Sequence, residues 1–383
     1  MITTTLFPGR YVQGRGALAR LGKELARLGS RHLVICSPHP LEHLLPQVLP
    51  DVQQGGAVRV ERFGGECTDQ EIDRLSEAAR DFQANTVTAF GGGKTLDAAK
   101  AVAVRAGVPV IVVPTIASTD APCSSVCVIY SPDGVFERVD LLPRNPDIVL
   151  VDTEVIAAAP ARFLVAGMGD ALATWFEAES CRIGRGRNIS GEAGSMTAHA
   201  LARLCYETIR DWGLSARTAC EAGVVTPALE RVVEANTLLS GLGFESGGLG
   251  AAHSIHNGLT ILPGARGLYH GEKVAFGVLA SLFLADTFAT LVDEVYDLCA
   301  VLGLPTSFAD LGLDGVSGRD LRRVAEKACA PGESIHNEPG DISPDVVHAA
   351  LVAADAEGRR RKVATAQGEA ALRARRRDSR ERA

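Results

Sequence analysis

Thr88-Ala89-Phe90-Gly91-Gly92-Gly93-Lys94-Thr95-Leu96-Asp97-Ala98-Ala99-Lys100 joins an apolar, β-branched run to a stretch of strong helix formers through three glycines. The pattern predicts a strand, a tight turn and a helix start. Successive glycines leave no Cβ atoms at the turn, so a ligand can come close to the backbone. The free N–H groups and the dipole of the following helix favour an anion there. The stretch reads as a cradle for the pyrophosphate of a dinucleotide. The plainer alternative is an ordinary strand-to-helix turn; Lys94 directly after the glycines gives the cradle equal standing.

Working outward, short β-like runs alternate with amphipathic helical stretches on both sides of this turn. Leu18, Leu21, Leu25 and Leu28 recur at helical spacing before Gly29. Runs over 32–36, 58–63, 109–114 and 147–152 read as strands. Thr68 to Glu71 reads as a capping box opening a helix to about Phe82. Val126–Tyr130 and Val135–Arg138 flank Ser131-Pro132-Asp133-Gly134, a hairpin turn. Continuous apolar strands alternating with helices argue for a parallel sheet covered on both faces. Past Pro160 the pattern changes to helical periodicity with glycine breaks and almost no strand signal. Helices are expected over 169–181, 195–211, 226–242, 249–259, 271–286, 289–302 and 319–329. The expected organisation is an α/β half over 1–160 and an all-α half over 161–383. The tail after about residue 362 reads as a frayed helix or a disordered segment. Ligands should bind between the halves, at the carboxyl ends of the strands.

Composition narrows the function classes. The 383 residues are 46% apolar and 22% charged, with net charge −7, as in a soluble globular protein of about two domains. No attraction to nucleic acid or to an anionic membrane is implied. Basic residues cluster only at Arg359–Lys362 and Arg373–Arg377, where a solvated face is the ordinary reading and a nucleic-acid contact the alternative. The nine cysteines are scattered without a Cys-x-x-Cys pair, which fits a reducing compartment. No signal peptide is evident at the N-terminus, and the apolar run 108–114 is too short to cross a bilayer. A cytoplasmic protein is expected.

Three stretches carry candidate chemistry. Gly167-Met168-Gly169-Asp170 puts a carboxylate at an expected helix start, where an N-cap is the plain reading. His253-Ser254-Ile255-His256 places two rings on roughly one helix face. Tyr269-His270-Gly271-Glu272 heads the next helix. One Asp and two or three His from different helices fit a divalent metal such as zinc or iron. The loop Thr115-Ile116-Ala117-Ser118-Thr119-Asp120 follows a strand end. Its hydroxyls either bind nucleotide groups or satisfy the loop backbone.

These segments, with Gly241–Leu249, His256–Thr260 and His270–Ala275, resemble the glycerol dehydrogenases of the iron-type alcohol dehydrogenase superfamily, from about residue 5 to about 362. The resemblance implies a Rossmann-like N-terminal domain and a C-terminal helical domain, the dehydroquinate synthase-like fold. It implies metal ligands at Asp170, His253 and His270, with His256 in the site wall. Iron-using relatives carry a further histidine ligand one turn after the aspartate; here that position is Thr174, and three ligands with an open position fit catalytic zinc. Cofactor contacts carry over onto Gly91, Gly92, Gly93, Lys94, Asp97, Thr115, Ser118, Ser124 and Tyr130, and substrate contacts onto Asp120, Phe244, His253 and His270. Relatives carry an aspartate at the end of the second strand, where Cys36-Ser37 stands here. NAD is the expected cofactor, with NADP left open at Ser37. The implied reaction is oxidation of glycerol or a related 1,2-diol in a homo-oligomer, octameric in relatives. A glycerol-phosphate dehydrogenase or a dehydroquinate-synthase-like lyase would need a basic cluster near the metal motifs. None is evident. An inactive NAD-binding protein would not need all three metal ligands.

Overall fold

The structure, a computed structural model, describes residues 2–381 apart from Asp286, with side chains as far as residue 367. Eight strands precede residue 153: β1 (Tyr11–Gly14), β2 (Arg31–Cys36), β3 (Ala57–Arg62), β4 (Thr86–Gly91), β5 (Val110–Pro114), β6 (Val126–Tyr130), β7 (Phe136–Leu141) and β8 (Ile148–Asp152). Six form a fully parallel sheet in the order β1-β8-β5-β4-β2-β3. β6 and β7 make a separate antiparallel hairpin. The sheet alternation is sharp. Leu33, Ile35, Val87, Ala89, Val112 and Val149 point into one core, which continues into the helical half. Val34, Cys36, Phe90, Ile111, Val113 and Leu150 point into a second core on the other face. Burial on both faces explains why these strands read as unbroken apolar runs.

The helices of this half are α1 (Leu21–Leu25), α2 (Pro38–His43), α3 (Leu45–Gln54), α4 (Asp69–Asp81) and α5 (Gly93–Ala106). Thr68 Oγ1 accepts the Glu71 N–H at 3.0 Å and caps α4, a contribution of about 1 kcal/mol. The Glu71 carboxylate does not complete the box; it accepts the Gly64 N–H at 2.8 Å and pairs with Arg74. β1, α2 and α3 are absent from the pattern reading. β1 is only four residues long, and α2 and α3 carry prolines in their first turns, where the missing N–H costs nothing.

The rest of the described chain is helical: α6 (Thr153–Ala158), α7 (Ala161–Gly184), α8 (Met196–Glu221), α9 (Pro227–Glu234), a π-helical segment (Ala235–Leu239), α10 (Ser240–Gly247), α11 (Ala251–Leu259), α12 (His270–Ser281), α13 (Ala289–Leu302), α14 (Gly318–Ala328) and α15 (Pro344–Glu381). The helix expected over 226–242 is therefore interrupted by a π segment. The one expected over 271–286 ends at Ser281, and Asp286 lies outside the described residues.

One expectation is corrected here. Asp170 is not at a helix start: it sits in the middle of α7, and Gly167 and Gly169 are inside that helix. They are contact points, not breaks. A Cβ on Gly167 would lie 2.0 Å from the Ala117 carbonyl oxygen, and one on Gly169 2.4 Å from that of Gly271. Facing them, a Cβ on Gly271 would lie 1.8 Å from the Ala166 carbonyl oxygen. Bare backbone lets α12 and the loop after β5 press onto α7, and this brings the candidate residues together.

The basic run Arg359–Lys362 is committed internally. Arg359 pairs with Asp355 and Asp314, Arg360 with Glu357, Arg361 with Glu357, Asp293 and Asp297, and Lys362 with Asp310. Through these pairs the run ties α15 to α13 and to the segment around Asp310 and Asp314. The side chains of Arg373–Arg377 lie outside the described residues. All nine cysteines are free thiols, and eight of them are buried. Among the described residues, no helix is long and apolar enough to cross a membrane.

Candidate active site

The glycine turn is built as the sequence predicts. β4 ends at Gly91, Gly92 is extended, and α5 begins at Gly93 with no side chain capping it. The backbone closes on itself where the Thr115 N–H donates to the Gly91 carbonyl at 3.0 Å. A Cβ on Gly91 would sit 2.6 Å from Thr95 Oγ1 and 2.8 Å from Ser37 Oγ, so only glycine fits between them. Lys94 stands at the mouth, donating to both Glu66 carboxylate oxygens at 2.6 Å, with its ammonium 4.7 Å from the centre of the Tyr130 ring. Thr115 and Tyr130 are half-buried, and Ser118 and Ser124 are buried. Ser124 Oγ has no hydrogen-bond partner in the described structure. An uncapped helix start, bare glycines and an orphaned hydroxyl fit a bound dinucleotide.

Asp97 has a different occupation from the one expected. It is buried, its Oδ2 accepts the Val128 N–H at 3.0 Å, and its Oδ1 lies 2.8 Å from Lys100 Nζ. Its carboxylate ties α5 to the hairpin and to Lys100.

The loop after β5 is fixed from three sides by side chains the sequence reading did not single out. Lys100 Nζ donates to the carbonyls of Ala121, Ser124 and Val126 at 3.0, 3.2 and 2.5 Å. Asn236, in the π segment, donates to the Ala117 and Leu164 carbonyls, both at 3.0 Å. Glu245 on α10 accepts the Ser125 N–H at 2.7 Å and its hydroxyl at 2.6 Å. A π bulge re-aims side chains within a helix and often marks a functional site.

That loop delivers Asp120 to Asp170. The Asp120 N–H donates to Asp170 Oδ2 at 3.3 Å, and Asp120 Oδ2 accepts from Ser240 Oγ at 2.8 Å. Burial, reinforced by Asp170, pushes the Asp120 carboxyl well above the usual carboxylate range. Phe244 is buried within α10.

Asp170, His253 and His270 converge from α7, α11 and α12. One donor atom of each lies within 4.8 Å of the other two. His270 Nε2 is 3.1 Å and His253 Nε2 3.5 Å from Asp170 Oδ1. Asp170 is 1% exposed, and that Oδ1 has no hydrogen-bond partner in the described structure. Burial alone would raise its pKa, but His270 and His253 outweigh burial and hold it below the usual range. A buried anionic oxygen facing two imidazole nitrogens is a donor set for a divalent cation.

Glu177, two turns along α7 from Asp170, accepts from His253 Nδ1 at 2.6 Å and from the His253 N–H at 2.9 Å. Carboxylate support of this kind orients a ligating imidazole. Residue 170 plus seven falls on one helix face, and this is the signal that could have found it.

Comparison with known proteins bears on this geometry. The model of the iron-containing alcohol dehydrogenases matches residues 8–153. A glycerol dehydrogenase of Thermotoga maritima is 58% identical over 362 residues, which are 94% of this chain and 99% of that protein. The chain belongs to the iron-containing alcohol dehydrogenase family. A glycerol dehydrogenase of Pseudomonas putida is 49% identical over 92% of this chain and 96% of its own length. Among solved structures, glycerol dehydrogenase of Schizosaccharomyces pombe superposes with a TM-score of 0.91 at 37% identity, covering 95% of this chain and 93% of that one. A probable glycerol dehydrogenase of Sinorhizobium meliloti gives a TM-score of 0.89 at 44% identity, covering 94% and 99%.

In this chain the side chain at position 174 is closely packed, with nothing there that could ligate as a fourth imidazole. Thr174 Oγ1 is 2.8 Å from Ser240 Oγ, and a Cβ on Gly243 would lie 2.3 Å from Thr174 Cγ2. His256 backs His270: its Nε2 is 3.1 Å from His270 Nδ1, and its Nδ1 is 3.1 Å from Asn257 Oδ1. Burial, with His270 and Lys273 close by, pushes His256 well below the usual histidine range. A neutral His256 can accept from His270 Nδ1, leaving His270 Nε2 bare toward Asp170.

Proposed function

We propose that this chain oxidises glycerol to dihydroxyacetone and passes the hydride to NAD, with residues 1–160 holding the dinucleotide and 161–383 holding a divalent metal. The reading rests on one observation: the Asp170, His253 and His270 donors meet beside the loop that follows β5, next to the glycine turn. Relatives named glycerol dehydrogenase, 46–58% identical over at least 92% of this chain, supply the substrate.

Asp170, His253 and His270 would hold the ion, and three protein ligands with an open position suit zinc. When bound, zinc supplies a Lewis acid that favours ionisation of a coordinated hydroxyl, and the nicotinamide accepts the hydride. The chain's own side chains supply position. Glu177 fixes the His253 ring, and His256 fixes that of His270. Lys94 and the N–H groups of 91–93 would hold the pyrophosphate, with Thr115, Ser118, Ser124 and Tyr130 along the ribose and nicotinamide. Asp120 and Phe244 would border the polyol. The hydroxyl proton leaves to water as the C2–H hydride departs, so that the alcohol becomes a ketone. The cations on and against the first turn of α12 are occupied, Arg162 by Glu272 and Lys273 by the Leu268 carbonyl. Among the described residues both side chains are thus engaged within the protein, which supports an uncharged polyol.

The test is glycerol-dependent NADH formation by the purified protein, before and after chelation. Activity lost with the metal and restored by zinc is expected. Unchanged turnover by protein shown to be metal-free would overturn the assignment.

A further inference from the structure

The sheet decides which half of a dinucleotide lies where. The metal-ligand cluster stands on the β5 side of the glycine turn, because the loop after β5 carries the Asp120 N–H to Asp170. The nicotinamide must lie on that side to reach the substrate. The adenosine then extends the other way, over the ends of β2 and β3, which stand beyond β4 in the sheet.

At that place parallel-sheet dinucleotide sites carry either a carboxylate, which takes the ribose hydroxyls and repels a 2′-phosphate, or an arginine, which accommodates it. Here β2 ends at Cys36, and the next residue is Ser37. Among the described residues its hydroxyl makes only a 3.3 Å bond to the Phe90 carbonyl, and it lies against Gly91. Arg62 ends β3 in direct register with Cys36 and is exposed. Among the described residues its guanidinium makes no ion pair or hydrogen bond. Two nearby acids are engaged elsewhere: Glu61 with Arg59 and Arg74, and Glu71 with Arg74 and the Gly64 N–H. Glu42 lies more than a turn beyond Ser37 on α2. The edge of the cradle that meets the adenosine ribose therefore offers a neutral hydroxyl and an uncommitted guanidinium.

We propose that this site accepts the 2′-phosphorylated dinucleotide, NADP(H), alongside NAD(H), with Ser37 and Arg62 as the residues that set the choice. This rests on the reading of the glycine turn as a dinucleotide site. Ser37 supplies a donor without like-charge repulsion, and Arg62 supplies the countercharge for the phosphate.

The test is binding, followed by fluorescence titration of NADH and NADPH into the metal-loaded protein. Wild type should bind NADPH within about tenfold of NADH. Arg62→Ala should weaken NADPH about tenfold more than NADH, the scale of one lost charge-assisted hydrogen bond. Ser37→Asp should move the ratio of the two affinities toward NADH by about 100-fold, through repulsion of the phosphate. NADPH failing to bind where NADH saturates overturns the proposal and leaves the dinucleotide site standing. Equal NADPH affinity in wild type and both variants overturns the roles of Ser37 and Arg62. Binding of neither dinucleotide overturns the reading of the glycine turn itself.

Discussion

His253 is held twice by Glu177. One carboxylate oxygen takes the ring Nδ1 at 2.6 Å and the other takes the backbone N–H at 2.9 Å. The ring can neither rotate nor slide along α11, and its Nε2 is left facing Asp170. Burial would push His253 down, but Glu177 and then Asp170 outweigh it and raise it well above the usual histidine range. Replacing Glu177 by Gln keeps the shape and removes the charge. Removing such support costs about 10–100-fold in metal affinity. Chelator competition should show that loss while the melting temperature changes little. Wild-type affinity in the variant would show that the contact does not position the ring.

Thr174 marks where a fourth ligand would enter, and the structure closes that entrance. Gly243 packs against the Thr174 methyl, and Ser240 bonds its hydroxyl. Thr174→His should therefore not convert the site to four protein ligands. It should overpack the α7–α10 contact, at about 1–3 kcal/mol. A lower melting temperature with unchanged metal preference is expected, and a gain in iron affinity would contradict it.

The strand–turn–helix about Gly91–Gly93 was legible because its signals are local: a β-branched run, three glycines, strong helix formers. Asp170, His253 and His270 are legible as ligand types in their motifs; the 100 residues between the first and the last keep spacing alone from joining them, and it is the family resemblance that implies the shared site. The sequence pattern sets Asp170 at a helix start because Gly167 and Gly169 look like helix breaks when read singly. Only the facing carbonyls of Ala117 and Gly271 reveal them as contact points. Lys100, Asn236 and Glu245 left no trace, because a polar residue on a helix reads as solvent-facing. Each is instead buried against backbone of the loop after β5.

Gly271 follows a candidate ligand and touches α7 backbone to backbone. A methyl group there would meet the Ala166 carbonyl oxygen at 1.8 Å and the Asp170 nitrogen at 2.9 Å. Neither is the end of a flexible side chain, so α12 must move away and take His270 with it. Gly271→Ala should lose about 1–3 kcal/mol of stability. Because His270 moves with α12, metal content should fall as well. The melting temperature of the metal-free form separates the two effects: a packing defect lowers it, whereas a pure ligand defect leaves it unchanged.

Asp310 anchors the C-terminal helix, and its pH dependence is fixed in sign. Its Oδ2 accepts the Thr306 N–H at 3.0 Å and the Ser307 N–H at 3.1 Å and pairs with Lys362 on α15. Nearby, Gly358 lets α15 press on the Thr306 carbonyl, 1.7 Å from where a Cβ would sit. Burial pushes Asp310 up, but Lys362 and the Thr306 N–H outweigh it, so the folded-state value lies below the ordinary 3.8. A depressed carboxylate stabilises the fold above its unfolded-state value, and the contribution is lost as pH falls through the folded-state value. Asp310→Asn should therefore melt lower than wild type at neutral pH. The difference should stay constant down to about pH 5 and close below about pH 4. Thermal melts of both proteins across that range check it, and a difference that widens in acid would reverse the sign argued here.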